Sequence, residues 1–320
     1  MPYNSQVTRA NAAALIQEAV STAMLNTLQE DSAALRMFTR ISVPTNKTRF
    51  PVLSALPTAY FVDGDTGLKQ TTSAAWTNKY LEVEEIAAIV PIPDAVLADA
   101  EYNLEGLILP MVRSAISRTL DAAVFFGTNK PTSWPTGVAP AAIAAGNTAN
   151  RGTTTDAKGG VAEDLNQMNG TLIADGYAPT GYVANPKMQT ILRSSRATDG
   201  QLLSDINGAT GSIWGAPTVY PMPGLWPNST TTAERNVELI GMQRENFIIG
   251  VRQDVTVTVS NQAVLQDAAG DIQFNMFQQD MTAFRVVFRV GWQVSNPLNY
   301  SQGTEANRYP AAVLQSPANP

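Results

Sequence analysis

NLEGLILPMVRSAISRTLDAAVFFG, residues 103–127, is the stretch whose reading decides the fold. Its apolar residues Leu104, Leu107, Ile108, Met111, Val112, Ala115, Ile116, Leu120 and Ala123 recur at the i, i+3, i+4 spacing of one helix face. Glu105, Arg113, Arg118 and Asp121 take the other positions. Asn103 is placed to cap the first turn, because its side-chain oxygen can accept a free backbone N–H. Gly127 can adopt the left-handed conformation that closes a helix. The segment predicts a helix roughly 35 Å long at about 1.5 Å per residue. Pro110 should bend it in its first third by removing one backbone hydrogen bond. No other stretch combines this length with a cap and a stop, so the rest of the chain is read as hung on this spine.

Upstream, MFTRISVPTNKTRFPVL and PTAYFV read as extended chain, and DGDTGLKQTTSAA as a polar, turn-rich tip. WTNKYLEVEEIAAIVPIP then alternates with period two, carrying Leu81 and Val83 and, after a phase change at Glu84-Glu85, Ile86, Ala88, Val90 and Ile92. Two long strands joined by a polar tip follow from this. Arms of about 15 residues would reach about 50 Å at about 3.3 Å per residue. An isolated two-stranded hairpin is marginal in water, so it needs a surface. That surface is either a neighbouring subunit or, for a hairpin folded back, a sheet of its own chain. Thr8–Arg36 predicts an amphipathic helix with a break at Asp31 and Ser32. It packs on the chain's own core or serves as an arm on another subunit.

Downstream, residues 128–160 read as loop. Residues 161–178 predict a helix bearing Leu165, Met168, Leu172 and Ile173 and stopped by Gly176. GYVAN is a short strand, and NPKMQTILRSS (185–195) a helix with Asn185 as cap and Pro186 in its first turn. IWGAPTVYPMP is a strand and turn. From Val237 the chain turns β-rich again, in VELIGM, NFIIGVRQDVTVTVS and MTAFRVVFRVGWQVS. The remainder, NPLNYSQGTEANRYPAAVLQSPANP, reads as a surface segment ending in a loose tail.

Composition narrows the function more than any motif. The 320 residues are 44% hydrophobic and 15% charged, enough to bury a sizeable core in two domains or one elaborated one. There is no cysteine and no histidine. Disulfides, thiol nucleophiles, Cys/His zinc sites and imidazole-based proton transfer are thereby excluded. The net charge of -6 and the lack of a Lys/Arg cluster argue against gripping nucleic acid. No run of 18 apolar residues and no signal peptide are present. The expectation is a soluble protein folded in the cytoplasm, with no membrane partner.

Motifs for chemistry are wanting. GDTGLKQT (64–71) lacks the spacing of a phosphate-binding loop. GSIWG (211–215) sets Ser212 between glycines in the wrong pattern for a nucleophile elbow. On one strand Glu82 and Glu84 would share a wet face, with Glu85 opposite. Asp267, Asp271 and Asp280 do not reproduce a calcium loop. No catalytic, cofactor or metal site is predicted.

The order of parts resembles that of the major capsid proteins of tailed double-stranded DNA bacteriophages, the HK97-type fold, over roughly residues 40–300. RFPVLSALPTAYFVDGDTGLKQTTSAAWTNKYLEVEEIAAIVPIPDAVLAD resembles the family's extended loop and its return into the body. Asn103–Gly127 resembles the spine helix, and GTNKPTSWPTGV the Gly-rich stretch that follows it. ANPKMQTILRSSRATDGQLL and IWGAPTV resemble the Asn-Pro helix, Asp-Gly turn and Gly-x-Pro-Val strand; RVVFRVGWQVSNP resembles the terminal Arg-rich strand.

The resemblance implies an α+β, HK97-like capsid fold: an N-terminal arm (1–44), an extended β-hairpin loop (45–82), a peripheral domain with the long spine helix (83–130 and 241–296), an axial α/β domain (131–240) and a C-terminal segment (297–320). It implies a structural protein, not an enzyme, that self-assembles into hexamers and pentamers of an icosahedral shell around the packaged dsDNA. Assembly is expected in the host bacterial cytoplasm, and the product is the virion capsid. A portal protein and decoration or cement proteins are the further partners. Some members carry a scaffolding domain before the arm; here the arm begins almost at Met1, so a separate scaffolding protein is expected unless the sequence is a trimmed product. Tyr60, Phe61, Asp63, Lys69 and Trp76 on the extended loop are the expected inter-subunit contacts. Lys69 is also the candidate for covalent cross-linking known in some members, with a solvated or salt-bridging lysine as the ordinary role. The alternatives are an encapsulin-like compartment and a carboxylate-dependent enzyme.

Overall fold

The computed structural model describes residues 32–62, 67–99, 104–155, 159–195, 211–221, 224–226, 236–267 and 269–317. Helix α1 (Ala33–Met37) is followed by strands β1 (Thr39–Ser42), β2 (Lys47–Ala55), β3 (Ala75–Glu82) and β4 (Glu84–Pro93). Helices α2 (Asp94–Asp99) and α3 (Leu104–Asp121) come next, and α3 passes into a π-helical turn, Ala122–Phe126. After α4 (Val138–Ala144) come β5 (Thr148–Asn150), α5 (Gly160–Ala174), β6 (Gly181–Ala184) and α6 (Pro186–Ser194). The strands β7 (Ser212–Ile213), β8 (Ala216–Val219), β9 (Val237–Met242) and β10 (Phe247–Ser260) follow. The last are β11 (Val264–Gln266), β12 (Ile272–Asn275), β13 (Met281–Val294) and β14 (Ala311–Gln315). The described chain divides into two compact units, one containing Glu84–Leu120 and Arg252–Val290, the other Ser32–Val83, Asp121–Val251 and the chain from Gly291 onward.

In the first unit β4 runs antiparallel to β13, in register from Met281 opposite Pro93 to Val290 opposite Glu84. The predicted alternation of β4 is present: Ile86, Ala88 and Val90 are partly covered and Glu85, Ala87 and Ile89 exposed. Ile92, Val96 and Phe284 form a buried cluster with Ile108 against it. Helix α3 buries Val112, Ile116 and Leu120, a single line four residues apart. Met111 and Ala115 are exposed, so the apolar stripe is narrower than the sequence implied. The helix continues through Pro110. Asn103, the expected cap, lies outside the described residues.

The second unit holds the sheet β5-β14-β9-β6-β8-β7. Asn185 caps α6 by accepting a bond from the Lys187 N–H at 3.0 Å, with Pro186 in the first turn as predicted. Leu165, Met168 and Leu172 of α5, Met188 and Leu192 of α6, and Tyr182, Leu239 and Leu314 of the sheet form its core. Gly127 has φ 71° and closes the π-helical turn. A Cβ on Gly137 would meet the Gly127 nitrogen at 2.5 Å, so the turn and the start of α4 approach as only glycine allows.

Three expectations need correction. Residues 128–160 are not all loop: they contain α4 and β5. Helix α4, VAPAAIA, has side chains too small to give a strong periodic signal, although Val138, Ala139 and Ala142 are buried. The C-terminal part is not a surface segment. Strand β14 lies between β5, parallel, and β9, antiparallel, with Ala311 to Leu314 fully buried. A strand covered on both faces reads as a short apolar run without alternation, which periodicity cannot assign. Finally, the hairpin arms β2 and β3 are 9 and 8 residues rather than about 15. The chain breaks at Val83 and β4 joins another sheet.

Leu314→Ala should cost about 2–5 kcal/mol in chemical denaturation of the unassembled chain, because the cavity opens in the fully buried core of the second unit. Burial raises the hydroxyl pKa of Tyr177, Tyr182, Tyr220 and Tyr309 above 10.0. The unfolded chain therefore loses these protons first, so their stabilising effect is complete below about pH 10 and falls as pH rises beyond it. Phenolate absorbance of the native protein just above pH 10 should lack these four of the nine tyrosines, and alkaline unfolding should release them together.

Candidate functional site

The β2/β3 hairpin is a sheet of two strands only, in register from Lys47 opposite Glu82 to Leu53 opposite Trp76, with a shift before Ala55 meets Ala75. Its base is fixed. Leu81 and Val52 are buried, Lys47 pairs with Glu82, and the Lys47 ammonium lies 4.5 Å from the centre of the Tyr80 ring. The hydrogen bond it donates to the Glu82 carboxylate holds the Lys47 pKa above its usual value. Val83 N–H donates to Asn46 O at 2.8 Å and the Trp134 indole N–H to Glu82 O at 3.2 Å.

Beyond the base, cover is lost. Of the expected contact residues, Trp76 faces Leu53 across the ladder and is 65% exposed. Phe61 is fully exposed, and Lys69 is exposed. Tyr60 is partly held, its hydroxyl donating to Gln70 O at 2.6 Å, which ties the two sides of the tip together. Asp63 lies outside the described residues. Leu68, which the sequence reading passed over, is 90% exposed. Its signal was available, as an apolar residue inside a polar tip. Aromatic and apolar side chains thus gather on a ribbon that leaves them in water.

The second feature is the first turn of α1, at the start of the described residues. Asp121, buried at the end of α3, accepts the Ser32 hydroxyl on Oδ1, the Ala33 N–H on Oδ2 at 2.7 Å and the Ala34 N–H on Oδ1 at 3.0 Å. Ser32 Oγ in turn accepts the Leu35 N–H at 3.2 Å. The free donors of the first turn of α1 are thereby satisfied, and the negative charge lies at the favourable helix end. Sequence periodicity placed Asp121 on the polar side of the spine and could not foresee a partner 89 residues away.

Three of the carboxylates weighed for chemistry, Glu82, Glu85 and Asp267, have structural partners. Glu82 and Glu84 do not share a strand, because the break at Val83 separates them; Glu85 pairs with Arg289 at 2.9 Å. Asp267 accepts the Ala269 and Asp271 N–H groups at 2.9 Å within its own turn, and the Asp271 bond chiefly holds its pKa below the usual range. Among the described residues no group of three or more acidic side chains is placed to hold a metal. No described helix is long and apolar enough to cross a membrane.

The family model described as Phage capsid family matches residues 12–299. A solved structure of Microbacterium phage Oxtober96 is similar at 31% identity and TM-score 0.79, covering 98% of this chain and 100% of that one. One of Mycobacterium phage Adephagia is similar at 28% identity and TM-score 0.80, covering 99% and 100%. The structure titled "Capsid of native GTA particle computed with C5 symmetry" shares the fold at 15% identity and TM-score 0.63, over 98% and 99% of the two chains. Among curated proteins none matches. The fold is that of an HK97-like shell subunit. The chain belongs to the phage capsid family, and it is a major capsid protein, a structural subunit that assembles with copies of itself into the virion shell. These likenesses do not favour the encapsulin-like compartment or the carboxylate enzyme.

Asp121→Ala should destabilise the unassembled subunit by about 2–4 kcal/mol, since it leaves buried donors without an acceptor. Ser32→Ala should cost about 1 kcal/mol. Equal losses in urea titrations would refute the assignment of the carboxylate as the main clamp.

Proposed function

We propose that the subunits form hexamers and pentamers of an icosahedral shell around packaged dsDNA, and that the β2/β3 hairpin lies across a neighbouring subunit. The observation that carries this reading is the exposure of Trp76 on β3 and of Phe61 and Leu68 in the segment joining β2 to β3, where the two-stranded hairpin has too little core of its own to bury them. Large aromatic side chains are the residues that gain most from burial at an interface. In this reading Tyr60, Phe61, Asp63, Lys69 and Trp76 make the contact.

The domain assignment follows: an arm over 1–44, the extended loop over 45–82, a peripheral domain over 83–130 and 241–296, an axial domain over 131–240 and a C-terminal segment over 297–320. The spine helix α3 and long β13 support the peripheral part, the sheet around β6 and β9 the axial part. A net charge of -6 suits a wall that encloses DNA without binding its sequence. A separate scaffolding protein, a portal protein and decoration proteins are its partners, assembly takes place in the host cytoplasm, and the subunit carries out no catalysis. The lack of histidine and cysteine supports the last point.

Phe61→Ser with Trp76→Ala should leave subunit stability within about 0.5 kcal/mol, because Phe61 is fully and Trp76 largely exposed in the single chain. Shells should give way to small species in sedimentation and electron microscopy. Normal shells from this variant would refute the hairpin contact. Denaturing electrophoresis of purified shells decides the cross-link: ladders that vanish in Lys69→Arg support it, and monomer alone from the parent chain rejects it.

A further inference from the structure

Residues 296–308 of the second unit close into a loop wound around one buried cation. Arg308 is 4% exposed, and its guanidinium donates to the carbonyls of Pro297 at 3.1 Å, Gln302 at 3.2 Å and Asn296 at 3.2 Å. Asn296 Nδ2 returns a bond to Arg308 O at 2.9 Å. A planar charged fork bonded to three carbonyls holds both ends and the middle of the loop at once. One side of the loop is tied to the body of the unit: Asn299 Nδ2 donates to Asp175 O at 2.6 Å and the Tyr177 hydroxyl to Asn296 Oδ1 at 2.6 Å.

The other side reaches the hairpin. Leu298 N–H donates to Leu53 O of β2 at 3.0 Å, and the Tyr300 hydroxyl donates to Pro57 O at 2.9 Å. Lys79 of β3 pairs with Glu305 at 2.9 Å, and just before the loop Gln293 Nε2 donates to Tyr80 O at 2.7 Å. Both arms of the ribbon are therefore held. A cavity of about 300 Å³ lies beside the ion pair, lined by Lys79, Glu305, Arg308 and the Ala141 and Ala145 side of α4.

We propose that the loop wound on Arg308 is a preformed bracket that sets the direction of the hairpin, with the Lys79–Glu305 pair and the Tyr300 hydroxyl as its releasable contacts. The ribbon cannot fix its own direction, because two strands have little shared core. The bracket is closed by three charge-assisted bonds from a guanidinium on a residue only 4% exposed, whereas its ion pair with the hairpin is more open, Lys79 being 23% and Glu305 60% accessible. The contacts on the hairpin thus release first and the bracket stays intact. The adjoining cavity gives the Lys79 side room to move without displacing packed atoms.

The test is hydrogen exchange on the full-length, unassembled chain, which keeps it independent of shell formation. Glu305→Gln with Tyr300→Phe should speed exchange of β2 and β3 amides about two- to five-fold while β9 and β14 stay as in the parent. The swap Lys79→Glu with Glu305→Lys should return the hairpin to parental rates. Arg308→Lys, which keeps the charge and loses the fork, should loosen residues 296–308 and the hairpin together. Unchanged hairpin exchange in the double variant would overturn the proposal. So would an equal rise in β14, which would make the loop a general stabiliser, or a swap that fails to restore protection. Should Arg308→Lys not fold, the double variant and the swap still decide.

Discussion

Asp121 stands where the spine helix ends and the buried start of the described chain begins, and much of the second unit depends on its bonds. With its carboxylate in place, Ser32 to Met37 is held as a helix whose first-turn donors are satisfied. That fixes Phe38, whose ring stacks on Phe247 at 5.0 Å, meets Phe125 edge-on at 5.8 Å and lies 6.2 Å from Trp292. It also delivers β1 to its parallel register with β10, Thr39 opposite Ile248. One buried charge thus positions an aromatic cluster and a strand pairing. Two of the three donors are backbone groups and the third is the Ser32 hydroxyl, and Ala33 and Ala34 are themselves fully buried, so the clamp is closed around small side chains.

Much of this was legible from residues alone, and what was missed has a common cause. The spine, the Asn185 cap and the outward–inward alternation of β4 are local patterns, and each is present. Strand β14 and helix α4 were missed because their side chains are small or buried on every side, so neither shows a polar face to give it a period. The length of the hairpin was overestimated because β3 and β4 are nearly contiguous in sequence; only Val83 separates the two. At the candidate site, Phe61 and Trp76 were readable as aromatics in a polar stretch. The Asp121 clamp and the Arg308-wound loop were not, since each depends on partners that tertiary structure supplies.

The composition also makes physical sense for a shell. A wall made of many copies gains strength from repeated modest contacts, and a subunit needs no single tight interface. What it needs is surfaces that stay in water until a neighbour arrives. In the proposed reading the hairpin meets this by exposing Phe61, Leu68 and Trp76, while the six-stranded sheet carries a buried core.

The place of β14 in its sheet has a consequence for the order of events in the cell. Residues 311–315 fill the gap between β5 and β9, which are made much earlier during synthesis. A nascent chain therefore carries two strand edges that nothing covers until these residues have left the ribosome, and the Arg308 loop just before them is completed at the same late moment. The hairpin is translated early but gains its brace last. Incomplete chains thus lack both a closed sheet and the loop contacts that hold β2 and β3.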